Sequence, residues 1–278
     1  MTDPRVLLIG GTGKTGKRVA RQLEEKGIDF QLATRHPKQA KDRYFDWEKP
    51  CSDSVFTGIS SIYLVSPTHS SDHRAIVRPV LEQALAQGVK RFVLLSASSL
   101  PEGGPLMGQT HAFLRQHAPE WCVLRPTWFM QNLSEQHHQA TIKNEGKIYS
   151  ATENGRIGFI DAEDIARSAV TALLASEAPN NDFILTGPKT LSYGEVAELL
   201  SADLGFSVEY VPLTVEQMAA RYQLSGLDAD YAQLLAAMDR DVAQGGEDRL
   251  SENVKKLTGK EPNSMAQFIK RTRQSWLT

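Results

Sequence analysis

The sequence predicts an α/β protein built on a doubly wound parallel sheet, with a smaller C-terminal α/β lobe. Three observations carry this. Short apolar runs alternate with amphipathic stretches of helical length, the pattern of repeated βαβ units. The first run, Val6-Leu7-Leu8-Ile9, ends in the cluster Gly10-Gly11-Thr12-Gly13-Lys14-Thr15-Gly16 and passes directly into a helical stretch. After about Ser192 the alternation breaks, and mostly helical or irregular sequence follows.

The elements follow in order. Arg5–Ile9 is the first strand, and Lys17–Lys26 is a helix closed by Gly27. Phe30–Thr34 is the second strand, Arg43–Asp46 a short third, and Ser61–Val65 a fourth stopped by Ser66-Pro67-Thr68. A helix over Asp72–Gln87 ends at Gly88, and Phe92–Ser96 is the fifth strand. A helix over Gly108–His117 leads to the sixth strand, Trp121–Arg125, which Pro126 ends. Phe183–Leu185 is a seventh. Ser192–Leu204 reads as a helix whose start, Ser192 with Glu195 three residues on, is a capping box. Ser207–Val211 is a short strand. The expected division is residues 1–188 for the sheet domain and 189–278 for the lobe, with 148–160 contributing to the cleft.

The chain has 278 residues, 41% of them hydrophobic, room for one large α/β domain and a smaller lobe. A net charge of −2, from 31 basic and 33 acidic residues, gives no electrostatic case for a nucleic-acid partner. The two cysteines, Cys51 and Cys122, make neither a disulfide framework nor a metal site. No apolar run approaches the ~20 residues of a membrane span. The first strand starts too early to leave room for a signal peptide, so a cytoplasmic location is expected.

The glycine cluster has the local design for holding a dinucleotide pyrophosphate over a helix N-terminus. Gly10 allows the turn off the strand. Gly13 lets backbone approach phosphate, with Thr12, Lys14 and Thr15 around it, and Gly16 lets the helix pack closely. A Walker A loop fails in both registers: one needs glycine at Leu8, the other a hydroxyl at Arg18. The second strand ends Thr34-Arg35-His36-Pro37-Lys38, without the acid that an NAD site places there. Arg35 and Lys38, with Lys14, suit a 2′-phosphate and favour NADPH. The alternative is a solvated arginine. Asp46 and Trp47 fall beside the adenine position, or Asp46 simply caps its turn. Val65, Ser66, Pro67, Ser96 and Ala97 stand at strand ends, where the nicotinamide ribose passes in such a Rossmann-type sheet.

The Gly10–Gly16 turn, Thr34-Arg35 and the run Trp121–Asn132 together resemble the NmrA-like, atypical branch of the short-chain dehydrogenase/reductase superfamily. Phe159–Ala166, Leu191–Ala197 and Leu257–Pro262 extend the likeness over nearly the whole chain. Within that branch the chain is most similar to the ergot-alkaloid reductases, the festuclavine synthase and agroclavine dehydrogenase group. The resemblance implies an NADPH-dependent reductase acting on an iminium or related conjugated electrophile of a small molecule.

One departure from the wider superfamily bears on chemistry. Its members carry Tyr-x-x-x-Lys on the helix after the fifth strand; here that helix reads Met107-Gly108-Gln109-Thr110-His111-Ala112-Phe113. The acid that protonates a developing alkoxide is missing. An iminium carbon is already cationic and needs no proton during hydride transfer. Trp128 and Phe129 could wall such a substrate, with Met130, Asn132 and Tyr222 as further candidates, or the aromatic pair packs the lobe. His111 and Ser98 are the catalytic candidates, against structural roles for both. His69 and His73 lack a third metal ligand. His137-His138 reads as surface, and Asp161 as a helix cap. No G-x-S-x-G elbow is present. Three functions stay open: an imine or iminium reductase, a quinone or enone reductase, and a non-catalytic NADP(H)-sensing regulator. The chain is expected to be a monomer or homodimer.

Overall fold

A computed structural model describes residues 5–67 and 72–277, without the side chains of His137 and Tyr231. Its elements in chain order are β1 (Val6–Ile9), α1 (Gly16–Glu25), β2 (Phe30–Thr34), β3 (Arg43–Tyr44), β4 (Ser61–Val65), α2 (His73–Ala86), β5 (Arg91–Leu95), α3 (Met107–His117), β6 (Glu120–Pro126), α4 (His137–Glu145) and β7 (Lys147–Ser150). Then come α5 (Ala162–Leu174), β8 (Asn181–Leu185), α6 (Tyr193–Leu204), β9 (Glu209–Pro212), α7 (Val215–Leu224), α8 (Ala229–Ala243), α9 (Asn253–Thr258), α10 (Met265–Thr272) and α11 (Gln274–Leu277).

Seven strands form one sheet in the order β3-β2-β1-β4-β5-β6-β8, parallel throughout. The central strands read as continuous apolar runs because helices cover both faces. All four residues of β1 are buried. Strand order reverses between β1 and β4, which puts the glycine turn at the topological switch point. On one side α5 packs on α1 and against β4, β5 and β6; α2 packs with α3, and α3 against β5 and β6. Leu7, Ile62, Phe92, Leu94 and Val123 are among the buried residues of this core.

The chain divides into two compact units: residues 1–126, 162–185 and 253–260 form the first, and 127–161, 186–252 and 261–278 the second. This differs from the expected single boundary after residue 188. The segment 127–161, which holds α4 and β7, leaves the sheet domain before its last crossover helix and strand are made, and α9 returns to it later. The physical reason lies in long-range pairing. Isolated bridges join Phe129 to Ile160 and Ile157 to Leu191, and β7 pairs in parallel with β9. Such pairing leaves no periodicity signal in the sequence.

The second unit has two apolar cores. One gathers Met130, Ile148, Phe159, Leu200, Phe268 and Trp276; the other gathers Val215, Met218, Tyr222, Ala232 and Ala236. The predicted capping box at α6 is present: Ser192 Oγ accepts from the Glu195 N–H at 3.2 Å, and Glu195 Oε2 accepts from the Ser192 N–H at 2.8 Å. His138 corrects the surface reading of the His137-His138 pair. It is buried, its ring 5.3 Å from that of Tyr193, because α4 turns this position inward. The His137 side chain lies outside the described residues.

Candidate functional site

In the first unit the glycine turn is built by close approach. Gly10 has φ +82°, and a Cβ there would lie 2.7 Å from Val65 Cβ at the end of β4. A Cβ on Gly16 would lie 2.2 Å from the Gly10 carbonyl oxygen, so only glycine lets α1 start this near the turn. Gly13 and Thr12 are exposed at its outer edge. The Gly13 N–H donates to Gly10 O at 3.0 Å, and Lys17 N–H to Gly13 O at 3.0 Å. Thr15, the N-cap of α1, makes no side-chain capping bond. Its hydroxyl accepts from the Tyr63 hydroxyl at 2.9 Å instead. Burial pushes the Tyr63 phenol well above its ordinary range, so it stays a donor.

Arg18 carries a role that the motif reading missed. It donates to the Lys14 carbonyl at 2.7 Å and pairs with Glu163 at 3.0 Å. Arg21 also binds Glu163, in the first turn of α5. The residue that defeats the Walker pattern thus braces the turn from below.

Across the switch point, Val65, Ser66 and Pro67 follow β4, and Ser96, Ala97 and Ser98 follow β5, with Val65 in register with Leu95. Ser66 and Ser96 are buried, and neither hydroxyl has a hydrogen-bond partner among the described residues. Buried orphan hydroxyls at the carboxyl ends of adjacent strands are what a bound ribose or carboxamide would satisfy. The glycine cradle and these hydroxyls fit a dinucleotide.

The loop after β2 exposes Arg35 and Lys38. The one acid near this strand end, Asp42, uses Oδ2 to accept from the Lys38 and Gln39 N–H groups at 2.8 and 2.9 Å. That carboxylate closes the loop. After β3, Asp46 Oδ1 accepts from Glu48 N–H at 3.1 Å, which is the turn-capping alternative, and Trp47 meets Phe45 edge-on at 4.9 Å.

On α3 neither tyrosine nor lysine occurs. His111 is 1% exposed, its ring 5.6 Å from that of Trp121. Neither ring nitrogen has a partner among the described residues, and burial lowers its pKa. It is packed as a core residue. Ser98 is buried, and its N–H donates to Pro126 O at 3.0 Å.

The substrate candidates all fall in the second unit. Trp128 and Phe129 are half-buried, with Trp128 packed against the main core. Met130 is buried and lines a cavity of about 210 Å³ with Phe159, Leu191, Leu199 and Met265. Tyr222 sits apart from these in the second core. Asn132 donates its N–H to Phe129 O at 3.0 Å. Asp161 holds this segment: its fully buried carboxylate accepts from Gln131 Nε2 at 2.8 Å, Asn263 Nδ2 at 3.0 Å and an Arg271 Nη at 2.5 Å.

His73 Nε2 lies 3.1 Å from Pro67 O, while His69 falls outside the described residues. Among the described residues no group of three or more His, Cys, Asp or Glu side chains could hold a metal ion. No described helix is long and apolar enough to cross a membrane.

Comparison with known proteins adds four findings. A family model described as NAD(P)H-binding matches residues 10–176. The chain is 39% identical to an agroclavine dehydrogenase of Claviceps fusiformis over 98% of both chains. It is also 39% identical to an uncharacterized oxidoreductase of Bacillus subtilis, YesF, over 96% of this chain and 95% of that one. Among solved structures, the NADPH complex of an NADPH-dependent quinone oxidoreductase from Escherichia coli superposes with a TM-score of 0.80 at 22% identity, over 96% and 99% of the two chains. That likeness shows the fold.

Proposed function

The chain belongs to the NAD(P)H-binding family of oxidoreductases, and from that premise we propose that it is an NADPH-dependent reductase of an imine, iminium or similarly activated carbon in a small cyclic or aromatic molecule. The observation that carries the reading is α3. The helix that would supply Tyr-x-x-x-Lys has neither residue, and its one histidine near that place is packed against Trp121. A reduction that needs a proton at the transition state would lack its donor there. The agroclavine dehydrogenase likeness over the full chain supports the same substrate class.

When bound, NADPH supplies a hydride from C4 of its nicotinamide. The protein's own work is placement. Gly10, Gly13 and Gly16 let backbone approach the pyrophosphate, with Thr12, Lys14 and Thr15 around it. Arg35 and Lys38 give the adenosine 2′-phosphate two cations, while Asp42 turns its Oδ2 to the Lys38 and Gln39 N–H groups of its own loop. Asp46 and Trp47 border the adenine. Val65, Ser66, Pro67, Ser96 and Ala97 line the nicotinamide ribose, with the Ser66 and Ser96 hydroxyls as hydrogen-bonding groups. Trp128 and Phe129 are the aromatic faces for a cationic electrophile, with Met130, Asn132 and Tyr222 as further candidates. A cation that accepts hydride becomes a neutral amine, so charge balances without a proton donor.

The test is NADPH oxidation against a panel of cyclic imines, iminium ions, quinones and enones, with NADPH binding measured in parallel. Fastest turnover on a cyclic iminium is expected. Preference for quinones or enones would move the chain to the other reductase class. Tight binding with no turnover on any of them would make it a dinucleotide sensor.

A further inference from the structure

We propose that Arg125 and Asp182 are a positioning pair that sets the nicotinamide end of the cofactor site, an inference that rests on the NADPH-dependent reading above. Arg125 stands on β6, next to β5 in the sheet. Its guanidinium makes three contacts. Nε donates to Ala97 O at 3.4 Å, one Nη donates to Ser98 O at 2.9 Å, and the other pairs with Asp182 at 2.7 Å. Asp182, on β8, is in register with Val123, two residues before Arg125. Alternation along a strand therefore puts Asp182 and Arg125 on one face of the sheet. The bridge runs from the turn after β5, across β6, to β8.

Backbone bonds hold only part of that turn. Ser96 N–H donates to Leu124 O at 2.7 Å, and Ser98 N–H to Pro126 O at 3.0 Å. The Ala97 carbonyl accepts from the Leu100 N–H at 3.1 Å as well as from the guanidinium, and the Ser98 carbonyl accepts from the guanidinium. A planar fork can serve two carbonyls and a carboxylate at once; an ammonium is a point charge and cannot keep that geometry. The Arg125 side chain is 14% exposed, so water competes little for these bonds. The turn it fixes carries Ser96, whose buried hydroxyl awaits a partner. A displacement on the order of 1 Å at such a place costs roughly a hundredfold in rate. Arg125 acts through the turn and touches neither cofactor nor substrate.

The alternative is a pair that merely joins β6 to β8. The two roles separate by ligand. A clamp on the nicotinamide end matters for NADPH and not for 2′-phospho-ADP-ribose, which keeps the adenine, phosphates and riboses but has no nicotinamide. Arg125→Lys, Arg125→Met and Asp182→Asn would be made in the full chain. Both ligands would be titrated, thermal midpoints recorded, and kcat and KM measured on the best electrophile. The expected result for Arg125→Met is about fivefold or more weaker NADPH binding, with fragment affinity within about twofold. The kcat should fall about tenfold or more, and KM for the electrophile should move less than about threefold. Arg125→Lys and Asp182→Asn should lie between it and the wild type, which keeps the test alive if Arg125→Met folds poorly. Equal weakening of both ligands in the folded variants overturns the proposal. So does unchanged NADPH binding, whatever happens to the midpoint. A wild-type protein that binds neither ligand would instead sink the NADPH reading, and the clamp with it.

Discussion

Asp239 offers a stability prediction whose sign is fixed by its surroundings. It lies on α8 in the second unit, 5% exposed, and its Oδ2 accepts from the Ala151 N–H at 2.8 Å. Burial pushes its carboxyl up from 3.8 to about 6, more than the backbone hydrogen bond pulls it down. Below the unfolded pKa the group is neutral in both states and costs nothing. As pH rises between the two values the unfolded chain loses its proton first, so stability falls, and above about 6 the deficit is complete. At about 1.4 kcal/mol per unit, a shift of this size corresponds to roughly 3 kcal/mol. Asp239→Asn keeps a carbonyl to receive the Ala151 N–H and abolishes ionisation. Its new amide must find partners of its own, at about 1 kcal/mol or more if it does not. The expected gain at about pH 7.5 is therefore roughly 1–2 kcal/mol, vanishing or reversing at about pH 4. Urea unfolding of wild type and variant at both pH values is the assay. A variant no more stable than wild type at the higher pH, with an unchanged pH profile, would refute the reasoning.

Arg35→Ala should weaken NADPH binding about tenfold or more while moving NADH less than about threefold; equal effects would remove Arg35 from the 2′-phosphate. Gly16→Ala forces a Cβ to within 2.2 Å of the Gly10 carbonyl, with no flexible side chain to yield. Its expected cost is about 1–3 kcal/mol in thermal or denaturant unfolding, together with lost NADPH affinity. His111→Phe replaces two partnerless ring nitrogens with apolar edge against Trp121, so stability should hold or rise and turnover stay within a few-fold. A loss of about a hundredfold, typical of removing a general acid, would show that proton transfer matters after all.

What the sequence made legible was local. The strand, glycine turn and helix at residues 6–25 follow from adjacent residues, as do the Ser192–Glu195 cap and the absence of a tyrosine on α3. β2 and β4 fell where their apolar runs predicted, because central strands covered on both faces leave little freedom of register. The misses depended on residues far apart in the chain. Arg18 meets Glu163 across 145 positions, and Arg125 meets Asp182 across 57. A lone arginine in a sequence gives no sign of such a partner. His138 read as surface because adjacent side chains diverge and α4 itself was unforeseen; its ring lies beside that of Tyr193. Asp161 was expected as a helix cap. Its carboxylate also gathers Gln131, Asn263 and Arg271, and the last two stand more than a hundred positions away.

The interleaving of the two units bears on how the protein is made. β8 completes the sheet, and residues 253–260 complete its unit, so a nascent chain cannot finish the first unit until most of the second has left the ribosome. The second waits in turn for residues 261–278, which carry both Asn263 and Arg271. Until those arrive, Asp161 is a carboxylate destined for a buried place and still short of two of its donors. A stop codon just after residue 260 would therefore spare every strand of the sheet yet take Asn263 and Arg271 away from that carboxylate. Such truncated chains are natural prey for proteolytic quality control.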